Sequence, residues 1–356
     1  MPSNWSRYSW PRSFGIALRF HRPLNPKRGL VIELTPSQIV CASMLIDLVP
    51  EFLAAQQAQD PLGAYLRYID HHLPVLNAYW HNYILDLDSP HSEDVMRRAL
   101  TADRRDLHLL LETTDIKGLA EETIRRCEDM FEADSPLDVY LMIGVGGANA
   151  GELMVDGRGI AFVCLEHFTG RPNPGTLGLG LRPELLTLWI AHEIAHIVRY
   201  GSPGSSSEMK RLVQKMNGNY DYWETGSRAT LRELLVNEGL AVAASRKVAP
   251  GFDPWDYFGY ARRQYRRLRE LEAFLTRYLR ESMDSTGLGY RLRYLSGGMS
   301  AAQRLVSGKV IPERAGYYIG HRMVEAIVAE QGIAHALRAS SEECQYVEDR
   351  AADQTA

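Results

Sequence analysis

The chain has 356 residues, 45% hydrophobic and 24% charged, with 40 Lys and Arg against 44 Asp and Glu for a net charge of −4. That composition is that of a folded globule with a sizeable core, and it excludes collagen-like, disordered and disulfide-stapled classes. The balance is far from the strongly basic one of a general nucleic-acid binder, so no nucleic-acid partner is expected.

Residues 1–34 mix aromatics, Arg and Pro without a period and read as a surface arm. From Thr35 to about 134 apolar residues recur at three- and four-residue intervals (Ile39, Met44, Leu45, Leu48; Leu66, Ile69, Leu73, Leu76), predicting a helical N-terminal region. Asp138 to Gly144 (DVYLMIG) and Gly159 to Leu165 (GIAFVCL) are short β-prone runs about the Gly-rich segment GVGGANAGELMVDGRG, predicting a small antiparallel sheet. An extended Gly- and Pro-rich loop follows. A helix is then bounded by Pro183 and Gly201, and a second spans Thr230 to Val248, with Thr230 and Glu233 in capping-box spacing. A third is expected from Pro254, behind Asp253, to about Met283, and a last one from Gly316. A core over 135–340 and a frayed tail over 341–356 complete an α+β, mostly α, organisation.

The helix after Pro183 contains HEIAH, with His192, Glu193 and His196. Residues i and i+4 share one helix face, so both imidazoles can reach a single ion, while Glu193 stands beside it as a general base for an activated water. The surrounding residues are almost all apolar, and burying a carboxylate with two imidazoles is expensive without a cation. A third ligand is available on the next helix. In LRELLVNEGLAVAAS, Leu231, Leu235, Glu238 and Val242 form one stripe, so Glu238 is a carboxylate on an apolar face. Asn237 is placed to hydrogen-bond around it. His192, His196 and Glu238 form a His₂Glu set suited to Zn²⁺.

The pair HEIAH and NEGLA resembles the gluzincin metallopeptidases, and NEGLA is similar to the third-ligand motif of membrane-alanyl-type zinc aminopeptidases. The fuller pattern of HExxH helix, EGLA and AGYYIGHRMVEAIV resembles a bacterial family of predicted zinc-dependent proteases. That family is a domain of unknown function with EGLA and GYxxG motifs, and the likeness covers about residues 135–335. It implies a zincin-like core, zinc as cofactor, peptide-bond hydrolysis and a peptide or protein substrate. Two features depart from the aminopeptidases: 42 residues separate His196 from Glu238, and no GAMEN-type motif precedes HEIAH.

An oxyanion donor is also needed, and Tyr317 is favoured because it shares the apolar side with Gly320, Val324 and Ile327. Tyr318 faces the polar side and His321 is the other candidate; a packed tyrosine and a surface histidine account for the same pattern. The edge of GIAFVCL could take up a peptide by strand addition. Two rival readings use the same residues. One is a zinc hydrolase of a non-peptide amide or ester, and the other a non-catalytic zinc-stabilised protein that binds a partner through the Arg-rich helix 261–280. No apolar run spans a bilayer, the N-terminal stretch lacks a secretory-type segment, and Cys41, Cys127, Cys164 and Cys344 form no CxxC pair. A cytoplasmic location without membrane partners is therefore expected.

Overall fold

The structure, a computed structural model, describes residues 43–345. The expected N-terminal arm, Cys41 and the tail beyond residue 345 lie outside the described residues. Cys127, Cys164 and Cys344 are buried free thiols, and Ser341 is also buried.

A four-stranded sheet runs through Leu45–Asp47 (β1), Asp138–Met142 (β2), Ala150–Val155 (β3) and Arg158–Cys164 (β4), in the spatial order β1-β2-β4-β3. It is mixed rather than antiparallel: β1 with β2 and β2 with β4 are parallel, and only β3 with β4 is antiparallel. Two strands were not foreseen in the sequence. β3 lies inside the Gly-rich segment, joined to β4 by Asp156 and Gly157, which both take positive φ (51° and 82°) as a type I′ hairpin turn requires. β1 falls where Met44 and Leu45 fit a helical period, because three residues are too few to separate the two periods.

Helices Val49–Gln57 (α1), Pro61–His71 (α2), Leu73–Tyr83 (α3), Ser92–Thr101 (α4), Arg105–Thr113 (α5) and Ile116–Phe131 (α6) form the crossover between β1 and β2. Local chemistry sets their starts: Asp60 accepts from Gly63 N at 3.0 Å and Asp115 from Gly118 N at 2.9 Å. The Gly- and Pro-rich loop after β4 holds one small hairpin, Pro172–Asn173 (β5) with Gly178–Leu179 (β6).

Helix Leu186–Gly201 (α7) follows a 3-10 turn at Pro183–Leu185 and is buried all round, against β3 and β4 on one side and α6 and Leu231–Val248 (α10) on the other. Between α7 and α10 lie Glu208–Lys215 (α8) and Tyr222–Arg228 (α9). Thr230 Oγ1 caps α10 by accepting from Glu233 N at 3.2 Å, but the reciprocal half of the capping box is absent. Glu208 takes the Thr230 N–H at 3.2 Å, which leaves the Glu233 carboxylate for a buried pair with Arg199 at 2.9 Å.

The long helix expected from Pro254 is divided. A 3-10 turn at Asp256–Phe258 ends at Gly259 with φ +60°, and helix Arg262–Arg280 (α11) begins after it. Its buried face is Leu268, Leu271, Leu275 and Leu279, which leaves its arginines outside. Leu288–Leu295 (α12), the hairpin Leu305–Val306 (β7) with Lys309–Val310 (β8), Ala315–Gln331 (α13) and Ile333–Arg338 (α14) follow.

Helices α10 and α13 cross almost backbone to backbone. A Cβ on Gly239 would overlap the Gly320 carbonyl, and one on Gly320 would overlap the Leu235 carbonyl. Gly316 is similarly pressed against Leu235 and Leu295. The glycines of EGLA and GYxxG thus allow the close approach that sets Glu238 beside the start of α13.

Candidate metal centre and cleft

His192 and His196 project from one face of α7 with ring centroids 4.9 Å apart. Glu238, from α10, places Oε2 3.4 Å from His192 Nε2 and 3.6 Å from His196 Nε2. The three ligand-type atoms lie within 4.8 Å of one another, and all three residues are buried. A tetrahedral ion with ligands at 2.0–2.1 Å would separate them by about 3.3 Å, close to the two His–Glu distances. Nitrogen and oxygen donors of this kind suit zinc. Among the described residues neither Nδ1 has a hydrogen-bond partner, unlike the usual arrangement in which that atom orients the ligand.

Glu193 lines the same cleft, a space of about 220 Å³. A residue not foreseen in the sequence joins it: Glu152, on β3, offers a carboxylate oxygen within 4.8 Å of ligand-type atoms of both Glu193 and His196. Glu152 is fixed by Tyr83 Oη at 2.8 Å and Tyr200 Oη at 3.1 Å, and Tyr200 in turn accepts from Asn237 Nδ2 at 2.9 Å. Asn237 thus bonds Tyr200 rather than Glu238, and reaches the cleft only through Tyr200 and Glu152. The Asp156–Gly157 dipeptide between apolar runs is the sequence signal that could have placed Glu152 on a strand.

Three carboxylates and two imidazoles share this buried space, so their ionisation is mutually dependent. Burial opposes the charge on Glu238, yet His196 and His192 hold its carboxyl well below the usual carboxylate range. Burial also works against His196, but Glu238 and Glu152 raise it to about 9. Burial lowers His192, with Glu238 opposing. Glu193 is pushed well above its ordinary value by burial, His196 countering and Glu152 and Glu238 adding. An excess of carboxylates in a low-dielectric pocket is the setting in which a divalent cation removes the cost of burial.

Tyr317 also lines the cleft, its ring 5.8 Å from that of His192 and 13° from parallel. Burial raises its pKa well above the ordinary value, so the hydroxyl keeps its proton. Tyr318 and His321 are absent from the residues lining this cleft. Tyr318 Oη donates to Glu272 Oε2 at 2.5 Å and its ring packs on Phe258. His321 is buried against Phe258, 3.3 Å from both Arg246 Nη1 and Glu325 Oε1, rather than lying at the surface.

The strand expected to receive a peptide has no edge to offer. β4 is paired on both sides, because β3 covers it. β3 is the edge strand, and its outward groups are partly taken: Tyr83 Oη bonds Glu152 N and O at 3.1 and 3.0 Å, and Met154 O accepts from Tyr220 N at 2.9 Å. Gly147 to Glu152 line one stretch of the cleft wall.

The motif glycines at the α10–α13 crossing and Glu238 fall within one stretch of chain that also matches a known family. Residues 219–345 match the family Predicted Zn-dependent protease (DUF2268). The matched segment is about a third of the chain, shorter at its N-terminal side than the likeness expected from residue 135. It carries Glu238, Arg314 and Tyr317, while His192, Glu193 and His196 precede it. No curated protein and no solved structure matches the chain. Among the described residues no helix is long and apolar enough to cross a membrane.

Proposed function

We propose that the protein is a zinc-dependent peptidase whose ion is held by His192, His196 and Glu238. The observation that carries this reading is the approach of Glu238 Oε2 to within 3.4 and 3.6 Å of the two imidazole nitrogens in a cleft that Glu193 also lines. Zinc bound there would lower the pKa of a coordinated water toward about 7 and polarise a substrate carbonyl.

The remaining work falls to side chains of this chain. Glu193 is the proton carrier: its carboxylate takes a proton from the attacking water and delivers it to the departing peptide nitrogen. Tyr317, protonated throughout the neutral range, donates its hydroxyl hydrogen bond to the carbonyl oxygen as negative charge develops there. Glu152 keeps its place through Tyr83 and Tyr200 and adds negative charge beside Glu193 and His196. The helix α7 keeps water out from below, since its residues from Leu188 to Tyr200 are buried.

Elemental analysis of the purified protein tests the metal assignment. About one zinc per chain is expected in the wild type, with loss in both His196→Ala and Glu238→Ala. Peptide-library digestion tests the reaction, with Glu193→Gln expected to retain zinc and to lose turnover. Absence of zinc, or a Glu193→Gln variant of full activity, would refute the reading.

A further inference from the structure

Arg314 stands in the left-handed region with φ +54°, immediately before α13. An arginine gains nothing intrinsically from that conformation, since its Cβ crowds the following carbonyl. The surroundings hold it there. Its carbonyl accepts from Tyr260 Oη at 2.5 Å and from Tyr317 N at 3.0 Å, and its Nη2 donates to Gly259 O at 2.6 Å. The guanidinium carbon lies 5.6 Å from the Tyr317 ring centre and 6.0 Å from that of Tyr260. Gly259 also has positive φ, and a Cβ there would crowd both Arg314 Nη2 and the Trp189 ring at 3.0 Å. Strained backbone that is fixed from several sides is the kind of feature that marks a working position.

That position is a cleft with a charge in need of a partner. Arg314 lines the same space as Glu193 and Glu238, yet it forms no ion pair among the described residues. Several arginines elsewhere in the fold do have carboxylate partners, among them Arg182 with Asp256 at 2.7 Å, Arg228 with Glu224 at 2.7 Å and Arg232 with Asp284 at 2.5 Å. The second arginine of the cleft, Arg291, is already used. It donates to Tyr220 Oη at 2.6 Å and Thr225 Oγ1 at 3.2 Å and stacks 3.6 Å from the Tyr222 ring centre. Arg314, by contrast, commits Nη2 to Gly259, and its Nε and Nη1 have no hydrogen-bond partner among the described residues. No side chain caps α13, so the positive end of that helix reinforces the same spot.

We propose that Arg314 is the receptor for a carboxylate of the peptide substrate, one helical turn from Tyr317 and therefore close to the bond that is cut. This rests on the peptidase reading and gives it a substrate class. The carboxylate belongs either to an acidic side chain or to the substrate's C-terminus, and both offer the bidentate geometry that a guanidinium recognises.

The test uses internally quenched peptide mixtures of uncharged residues in four forms: C-terminally amidated, with a free C-terminus, and amidated with Glu or with Gln at each position in turn. Wild-type protein, Arg314→Gln and Arg314→Lys are compared for kcat and KM. Binding of the same mixtures to zinc-loaded Glu193→Gln, with and without Arg314→Gln, is read by fluorescence anisotropy. Melting temperature and zinc content report whether each variant is folded.

The expected result is a preference of about tenfold or more in kcat/KM for one carboxylate form over its neutral counterpart. That preference resides in KM, collapses in Arg314→Gln and survives in part in Arg314→Lys. A gap between free and amidated C-termini assigns the carboxylate to the chain end, and a gap between Glu and Gln assigns it to a side chain. Wild-type cleavage with no carboxylate preference overturns the proposal even if Arg314→Gln fails to fold. So does a preference that persists in Arg314→Gln, or an equal fall in kcat on all four mixtures, which would put Arg314 on the reacting carbonyl. Failure of the peptidase reading looks different: no zinc, or no cleavage of any mixture.

Discussion

Two of the buried clusters of ionisable groups among the described residues solve the problem of burial in opposite ways. Around α7 and α10, His192, His196, Glu193, Glu238 and Glu152 converge on a cleft, with acid and base 3.4–3.6 Å apart. In the 3-10 turn that follows β4, Glu166, with Arg104 near it, and His167 are buried with their polar atoms largely unmatched. Glu166 Oε1, both nitrogens of His167, and Nε and Nη1 of Arg104 have no hydrogen-bond partner among the described residues. Glu166 Oε2 accepts from Gly144 N at 3.1 Å, and His167 Nε2 stays 3.7 Å from Glu166 Oε1. Here burial acts almost alone. It raises Glu166 to about 7, Arg104 opposing, and lowers His167 to about 4, so both groups move toward neutrality. Burial of charge is therefore no sign of chemistry by itself; convergence of donors on an accessible space is.

The comparison is broken most directly by one substitution applied to both clusters. Glu193→Gln and Glu166→Gln each replace a buried carboxyl by an amide of the same shape. Peptidase activity is expected to fall about 10²–10⁴-fold in the first and to stay near the wild-type level in the second. Equal losses in turnover assays would erase the distinction drawn between the clusters.

A third buried pair tests whether paired charges here are structural. Arg199, one turn beyond His196 on α7, donates to Glu233 of α10 at 2.9–3.2 Å and also to Leu337 O and Ala339 O at 3.3 and 2.9 Å. The pair clamps the two helices that carry the candidate ligands. Arg199→Met leaves Glu233 buried without its counter-ion and is expected to cost about 3–5 kcal/mol in urea unfolding. Restoring neutrality with Glu233→Leu in the same chain should recover much of that loss.

Much of this architecture was legible in the sequence. HEIAH and Glu238 stood out because their helices are otherwise apolar, and Pro183, Gly201 and Thr230 marked the helix limits through local chemistry alone. What could not be read depended on tertiary contacts. Glu233 fits a capping box by spacing, but Arg199 competes for its carboxylate. β4 looks like a strand with a free edge until β3 is recognised in a segment whose glycines suggest a loop. Gly259 and Arg314, 55 residues apart, fix each other's conformation, and no short-range pattern predicts that pairing.

The unmatched cluster should instead reveal itself through pH. The Glu166 carboxyl, about 7 when folded and near 4.5 when unfolded, binds its proton more tightly in the native state. Its contribution to stability is full below about pH 4.5, falls as pH rises through about 7, and is then constant. His167 works in the other direction: with a folded value of about 4 against 6.5, it loses stability as pH falls from about 6.5 toward 4. Glu166→Gln removes the first slope and keeps the second. Relative to wild type, the variant should gain about 3 kcal/mol between pH 4.5 and 8 in a series of denaturant melts. A constant difference across that range would show that Glu166 is ionised in the native protein at low pH.

The two clusters also meet, through a hydroxyl. Tyr79 Oη accepts from Val145 N at 3.2 Å, and Glu166 accepts from Gly144 N beside it, so together they anchor the backbone that leads into the cleft wall at Gly147. Tyr79→Phe leaves the Val145 N–H without that partner while keeping the ring against Phe162, 5.2 Å away. The expected loss is about 1 kcal/mol, a fall of a few degrees in melting temperature. Because the hydroxyl supports a wall and touches no reacting group, kcat should be unchanged while KM rises. A fall in kcat with constant KM would instead tie the unmatched cluster to the chemistry of the cleft.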